Sequence, residues 1–273
     1  MPDPQLVLTL ALLLAAIGAF AGLVAGLLGV GGGIILVPAL LYGFRGLGYD
    51  GPDLMRICLA TSLATIVVTS TRSVLSHNRR GAVDWAVLRG WAPGIVLGAV
   101  LGVLVAAGLE TSALQAVFGG LGLIIALYLA FGRSQWRLGA AMPTGAVRAA
   151  LSGGVGLLSV LMGIGGGSFA VPMMTLFGRA VHQAVATAAG FGVLLALPST
   201  LAFLLTPVPE AARPPFTIGS VNAAAFAIIV AMTLLTAPVG ARLAHALPAA
   251  PLRRIFALFL GAVAGNMLIG AAS

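Results

Sequence analysis

The sequence predicts an all-α polytopic membrane protein, on three observations. Hydrophobic residues fill 60% of its 273 positions while charged residues fill 7%. A soluble domain of this size has roughly a quarter of its residues charged, so most of this surface must face lipid. Apolar runs close to the roughly 20 residues that cross a bilayer recur along the whole chain. They are long and rich in Leu, Ala and Gly, without the ten-residue alternation of barrel strands.

The runs place helices at 6–28, 34–44, 54–76, 87–108 and 112–132, then at 146–164, 168–178, 183–206, 219–244 and 251–271. Turn signals separate them, among them "RGLGYDGPD", "SHNRRGAVD" and "TPVPEAARPPF". The N-terminus has no basic n-region and reads as a first membrane segment rather than a signal peptide. Cys58 is the sole cysteine, which excludes an internal disulfide and a thiolate metal cluster. Neither a metal nor a cofactor is expected. All 14 basic residues are arginines, and they sit in short inter-helix loops. The net charge of +8 therefore points to membrane orientation rather than to nucleic acid. The expected partners are membrane lipid and a small solute, and a homo-oligomer is allowed.

The two halves correspond. Gly29–Gly33 matches Gly163–Gly167 and Pro38 matches Pro172 at an offset of 134; Ala60-Thr61 matches Ala186-Thr187; Gly81–Asp84 matches Gly219–Asn222. The offset changes only across loops, as a duplication with loop insertions requires. The repeats are assigned to 1–138 and 139–273. Threading the chain through the membrane gathers 11 arginines with Asp84 alone on the cytoplasmic side. Arg45, Arg56 and Arg213 fall on the other side with the five remaining acids. The bias is the positive-inside pattern. It needs an odd number of crossings per half, so the expected architecture is two inverted-topology repeats, each a glycine-turn hairpin plus three transmembrane helices.

Backbone turning inside the hydrocarbon layer is tolerated only where protein or a wet cavity surrounds it. Glycine permits the turn and leaves the amides uncovered. The next helix then presents its first N–H groups and positive dipole end, which suits an anion. Paired broken helices at corresponding places in two repeats mark a transporter's substrate site. Candidate site residues are accordingly Gly31, Gly32, Gly33, Gly165, Gly166 and Gly167, with Ser168 directly after the second triplet. By contrast, Gly94, Gly98 and Gly102 read as small-residue helix packing.

Cys58, Thr61, Thr65, Thr69, Arg72 and Ser76 form one polar stripe on helix 54–76, which reads as the wall of a polar pathway. Candidate pathway or gating residues are Pro38, Pro172, Arg72 and His77. The prolines either kink a moving helix or limit its length, and Arg72 has snorkelling as its bland alternative. Histidines at helix ends also serve as interfacial caps. No Asp or Glu falls in the middle of a helix, which disfavours a cation site and carboxylate-based coupling.

The duplicated "GxGGGxxxVP" elements (Gly29–Pro38 and Gly163–Pro172), "ATS" at 60–62 and "HNRRGAVDW" at 77–85 together resemble the TauE/SafE-type sulfite exporter family of bacterial permeases. The resemblance implies transport of small sulfur-containing anions, such as sulfite, sulfoacetate or other sulfonates, across a bacterial inner membrane, with export as the expected direction. By position it carries the triplets, Thr61, Ser62 and Thr187 over as the substrate site. Ala188 stands where the first half has Ser62, so two equivalent pockets are not implied. An anion channel shares the geometry and is the main alternative. An intramembrane enzyme is disfavoured, because the three histidines lie at helix ends and no buried carboxylate accompanies them.

Overall fold

The computed structural model describes residues 4–28, 32–132, 136–210, 213–246 and 249–272. Ten helices follow in order: α1 (Pro4–Leu28), α2 (Gly33–Gly46), α3 (Leu54–Arg79), α4 (Trp85–Ala107), α5 (Thr111–Phe131), α6 (Gly145–Leu161), α7 (Gly167–Leu176), α8 (Val181–Leu204), α9 (Ala223–Ala246) and α10 (Ala249–Ala272). Seven are long and apolar enough to cross a membrane; α2, α6 and α7 are shorter. The chain is an all-α polytopic membrane protein.

The two halves interlock. Helix α1 lies along α9, α6 along α4, α5 along α10, and α3 along α8. Close approach on the α4–α6 seam depends on small residues, as the 93–102 segment suggested. A methyl at Gly94 would strike Ser152, and one at Gly98 would strike the Gly153 backbone. Helix α3 is the centre: every residue from Leu54 to Ile66 is buried, so this half of the helix is enclosed on all sides. The rim is the reverse. Leu97, Leu101 and Leu104 of α4, Ile124 and Leu127 of α5, and Leu258 and Ile269 of α10 are exposed, forming an apolar coat for lipid.

Contacts at the helix termini define two ends. At one, Arg56 pairs with Asp53 (2.9 Å) and donates to the carbonyls of Ala107 (3.1 Å) and Pro207 (3.4 Å). That joins the start of α3 to the finish of α4 and the segment after α8. At the other end, the Trp85 indole donates to Asn78 (2.9 Å), and Arg179 pairs with Asp84 (3.1 Å). That joins the finish of α3 to the start of α4 and the exit of α7. Helices α3 and α8 therefore run in opposite directions. The other ion pairs among the described residues, Arg45–Asp50 and Arg213–Glu210, are also each confined to one end.

One expected boundary shifts. The helix predicted from 219 begins at Ala223, because Thr217–Ile218 (β1) and Val221–Asn222 (β2) pair antiparallel around a turn in which Gly219 has φ 57°. The Asn222 side chain then caps α9, accepting from the Ala225 N–H at 2.8 Å.

Candidate functional site

Each glycine turn separates two helices that would otherwise run on. At the second, α6 ends when Gly163 adopts φ 60°; the Gly163 N–H reaches the Val160 carbonyl (2.9 Å) and the Ile164 N–H reaches the Ser159 carbonyl (2.9 Å). This left-handed closure ties off the last carbonyls of α6. Helix α7 starts four residues later with Gly166 as its N-cap, and α2 starts behind Gly32 in the same way. A glycine cap contributes no side-chain acceptor, so the first amides of both helices stay uncovered by their own caps.

The two turns touch. A methyl at Gly33 would collide with the Gly163 carbonyl and come within 2.8 Å of Ile164 Cα. The Ser62 hydroxyl donates to the Gly163 carbonyl at 2.7 Å, so α3 fastens the turn of the second half. Gly166 lies against α8, where an added Cβ would stand 2.8 Å from Phe191 Cβ and 3.1 Å from the Ala188 carbonyl. At Gly32 and Gly165 the nearest atoms would be 3.6 Å away, an ordinary contact. Among the described residues, the start of α2 and the second turn meet in direct backbone contact. Gly31 lies outside the described residues.

Thr61 and Thr187 perform matching tasks across the halves. Thr61 Oγ1 accepts from the Asn222 N–H (2.9 Å), and Thr187 Oγ1 accepts from the Asp84 N–H (3.0 Å). Asp84 caps α4 through Val87 (3.1 Å) as Asn222 caps α9. Thus each hydroxyl on a central helix holds the start of a helix from the opposite half. Asp84 and Asn222 were not among the expected site residues, although the matched Gly81–Asp84 and Gly219–Asn222 segments contained the signal.

The rest of the stripe divides. Thr65 donates to the Ser62 carbonyl (2.7 Å) and Thr69 to the Thr65 carbonyl (3.1 Å), so both hydroxyls are returned to their own helix. Arg72 is exposed and His77 half-buried near the end of α3. Pro38 is buried inside α2, and Pro172 lies half-buried inside α7.

Ser168 differs from these hydroxyls. It occupies the first turn of α7, is 4% exposed, and its hydroxyl has no hydrogen-bond partner among the described residues. Arg56 is the one buried charged residue among those described, and it belongs to the far end of α3; no buried carboxylate accompanies the turns. Uncovered amides, positive helix ends and a spare hydroxyl form a donor set, which favours an anion over a cation.

A family model described as sulfite exporter TauE/SafE matches residues 14–267. A probable membrane transporter protein of Haemophilus influenzae is 32% identical over 263 residues, covering 96% of this chain and 99% of that one. Probable membrane transporter proteins of Methanocaldococcus jannaschii and Bacillus subtilis are 26% and 29% identical, covering 70% and 64% of this chain and 72% and 71% of their own. No solved structure matches.

Proposed function

The chain belongs to the TauE/SafE sulfite exporter family and is a membrane transporter, and from that premise we propose that it exports small sulfur-containing anions, such as sulfite, sulfoacetate or related sulfonates, across a bacterial inner membrane by alternating access. The carrier is built from two inverted repeats, 1–138 and 139–273. The matched bonds Thr61–Asn222 and Thr187–Asp84, and the opposed directions of α3 and α8, support that arrangement.

The observation that carries the reading is the meeting of the α2 start with the turn that precedes α7, at Gly33 and Gly163, together with the unpartnered Ser168 hydroxyl in the first turn of α7 and no buried acid among the described residues. A pyramidal or tetrahedral oxyanion has several acceptor oxygens, which amides on two helix ends can bind from opposite sides. The contact described above is then the substrate-free state, with the turns shut against each other. Rocking one half against the other parts the turns toward one end at a time.

Counterflow tests this reading. Proteoliposomes loaded with unlabelled sulfite are expected to accumulate radiolabelled sulfite transiently against its gradient. Passive equilibration with no overshoot would make the protein a channel, and no flux of any sulfur oxyanion would remove the substrate class.

A further inference from the structure

The two ends of the molecule are built alike and closed differently. Helices α2 and α7 finish in the same left-handed turn: Gly48 has φ 85° with the Tyr49 N–H on the Phe44 carbonyl (3.0 Å), and Gly178 has φ 82° with the Arg179 N–H on the Met174 carbonyl (3.0 Å). Tyr49 and Arg179 therefore hold equivalent places, as Asn222 and Asp84 do.

At the arginine-rich end, Arg179 grips the Asp84 carboxylate at 3.1 Å. At the other end the corresponding residues are neutral. Asn222 spends its amide on the Pro215 carbonyl (2.8 Å) and Thr217 (3.1 Å), within its own segment. A cavity of about 570 Å³ opens there, lined by Tyr49, Glu210, Arg213, Phe216, Thr217 and Ala223, and a smaller one of about 340 Å³ lies at the arginine-rich end beside Tyr128, Arg137 and Leu176. The arginine-rich end is tied by a pair between the two halves, whereas the pair at the larger cavity, Arg213–Glu210, lies within one segment.

The Asp84–Arg179 pair is unlike all the other ion pairs among the described residues. Those join residues three to five apart, whereas Asp84 and Arg179 belong to different halves. Its arginine follows α7, whose opposite terminus carries Gly166 and Ser168 about 15 Å away along a ten-residue helix. Releasing Arg179 frees the exit of the helix whose start faces the substrate.

We infer that the Asp84–Arg179 pair is the latch of the arginine-rich mouth, and that a passing oxyanion opens it by taking the place of the Asp84 carboxylate on the Arg179 guanidinium. The exchange conserves charge: one anion leaves the guanidinium as another arrives. The inference rests on the transport reading above and adds the gate to it. It also accounts for an acid on the side where arginines otherwise stand alone.

Labelling of a single cysteine tests the latch without requiring flux. In a Cys58→Ala background, Ala184→Cys places a thiol at a buried position on α8, one turn before Thr187. A membrane-impermeant maleimide is supplied from the arginine-rich side. Asp84→Asn keeps the helix cap, since asparagine caps α9 at the equivalent place, and removes the ion pair. Asp84→Asn and Arg179→Gln are each expected to label about two- to fivefold faster than the parent without substrate, the effect of losing a partly exposed pair. Arg179→Lys is expected to label at close to the parent rate. Sulfite should accelerate labelling of the parent and leave Arg179→Gln unchanged. Parent-like labelling in both neutral variants would overturn the latch, and parent labelling insensitive to sulfite would overturn the exchange at Arg179. Failure of sulfite counterflow would instead strike the substrate reading and leave the latch result standing.

Discussion

Replacing Ser168 with alanine separates a binding role from a packing role by the sign of two effects. The substitution deletes one hydroxyl and adds no volume. That residue is 4% exposed and its hydroxyl has no partner among the described residues, so no hydrogen bond within the protein is lost. Burying an unpaired hydroxyl costs about 1–3 kcal/mol, and its removal is expected to leave stability unchanged or raise it by roughly 1 kcal/mol. Affinity should move the other way. A hydrogen bond to a charged partner contributes about 1.5–3 kcal/mol, which corresponds to a roughly 10- to 150-fold weaker Kd for sulfite. Thermal unfolding in detergent and titration calorimetry read the two quantities on one preparation. Lower stability with unaltered sulfite affinity would refute the assignment of Ser168 to the anion.

Other substitutions probe the supports of the site. Thr61→Val leaves the Asn222 N–H buried and unpaired, and denaturant unfolding should show a loss of about 1–3 kcal/mol. Gly163→Ala places a Cβ at φ 60° and 2.7 Å from Val37 Cγ2, so a thermal-shift assay should record several kcal/mol of destabilisation, roughly 2–5. Gly32→Ala meets only ordinary contacts, and the same assay should place it within about 1 kcal/mol of the parent. Arg56→Met strands the Asp53 carboxylate and abandons the Ala107 and Pro207 carbonyls, a cost of roughly 3 kcal/mol in unfolding experiments.

Helices were legible because each is a long apolar run with turn residues on both sides, and nine of the ten begin within two residues of their expected starts. The start of α9 was misjudged, since strands as short as Thr217–Ile218 and Val221–Asn222 have no periodic signature and Gly219 passes for one more membrane glycine. The glycine triplets were visible as breaks between helices, but how closely the start of α2 packs on the second turn was not. The approach of Gly33 to Gly163 depends on how two halves dock, a long-range fact outside any local window. The polar stripe shows the same limit from the other side. Spacing put Thr61, Thr65 and Thr69 on one face, yet only Thr61 reaches the opposite half, while Thr65 and Thr69 satisfy their hydroxyls on backbone of their own helix. Asp84 was read as a lone charge in an arginine-rich loop. Its three links, to Thr187, Val87 and Arg179, appear only when α4, α7 and α8 are brought together.

The account turns on where the anion binds. A structure determined with sulfite bound should place its oxygens within hydrogen-bond distance of the Gly167 and Ser168 amides and the Ser168 hydroxyl, with the turns at Gly33 and Gly163 drawn apart. Sulfite lodged elsewhere in the protein, with Gly33 still pressed on Gly163, would contradict it.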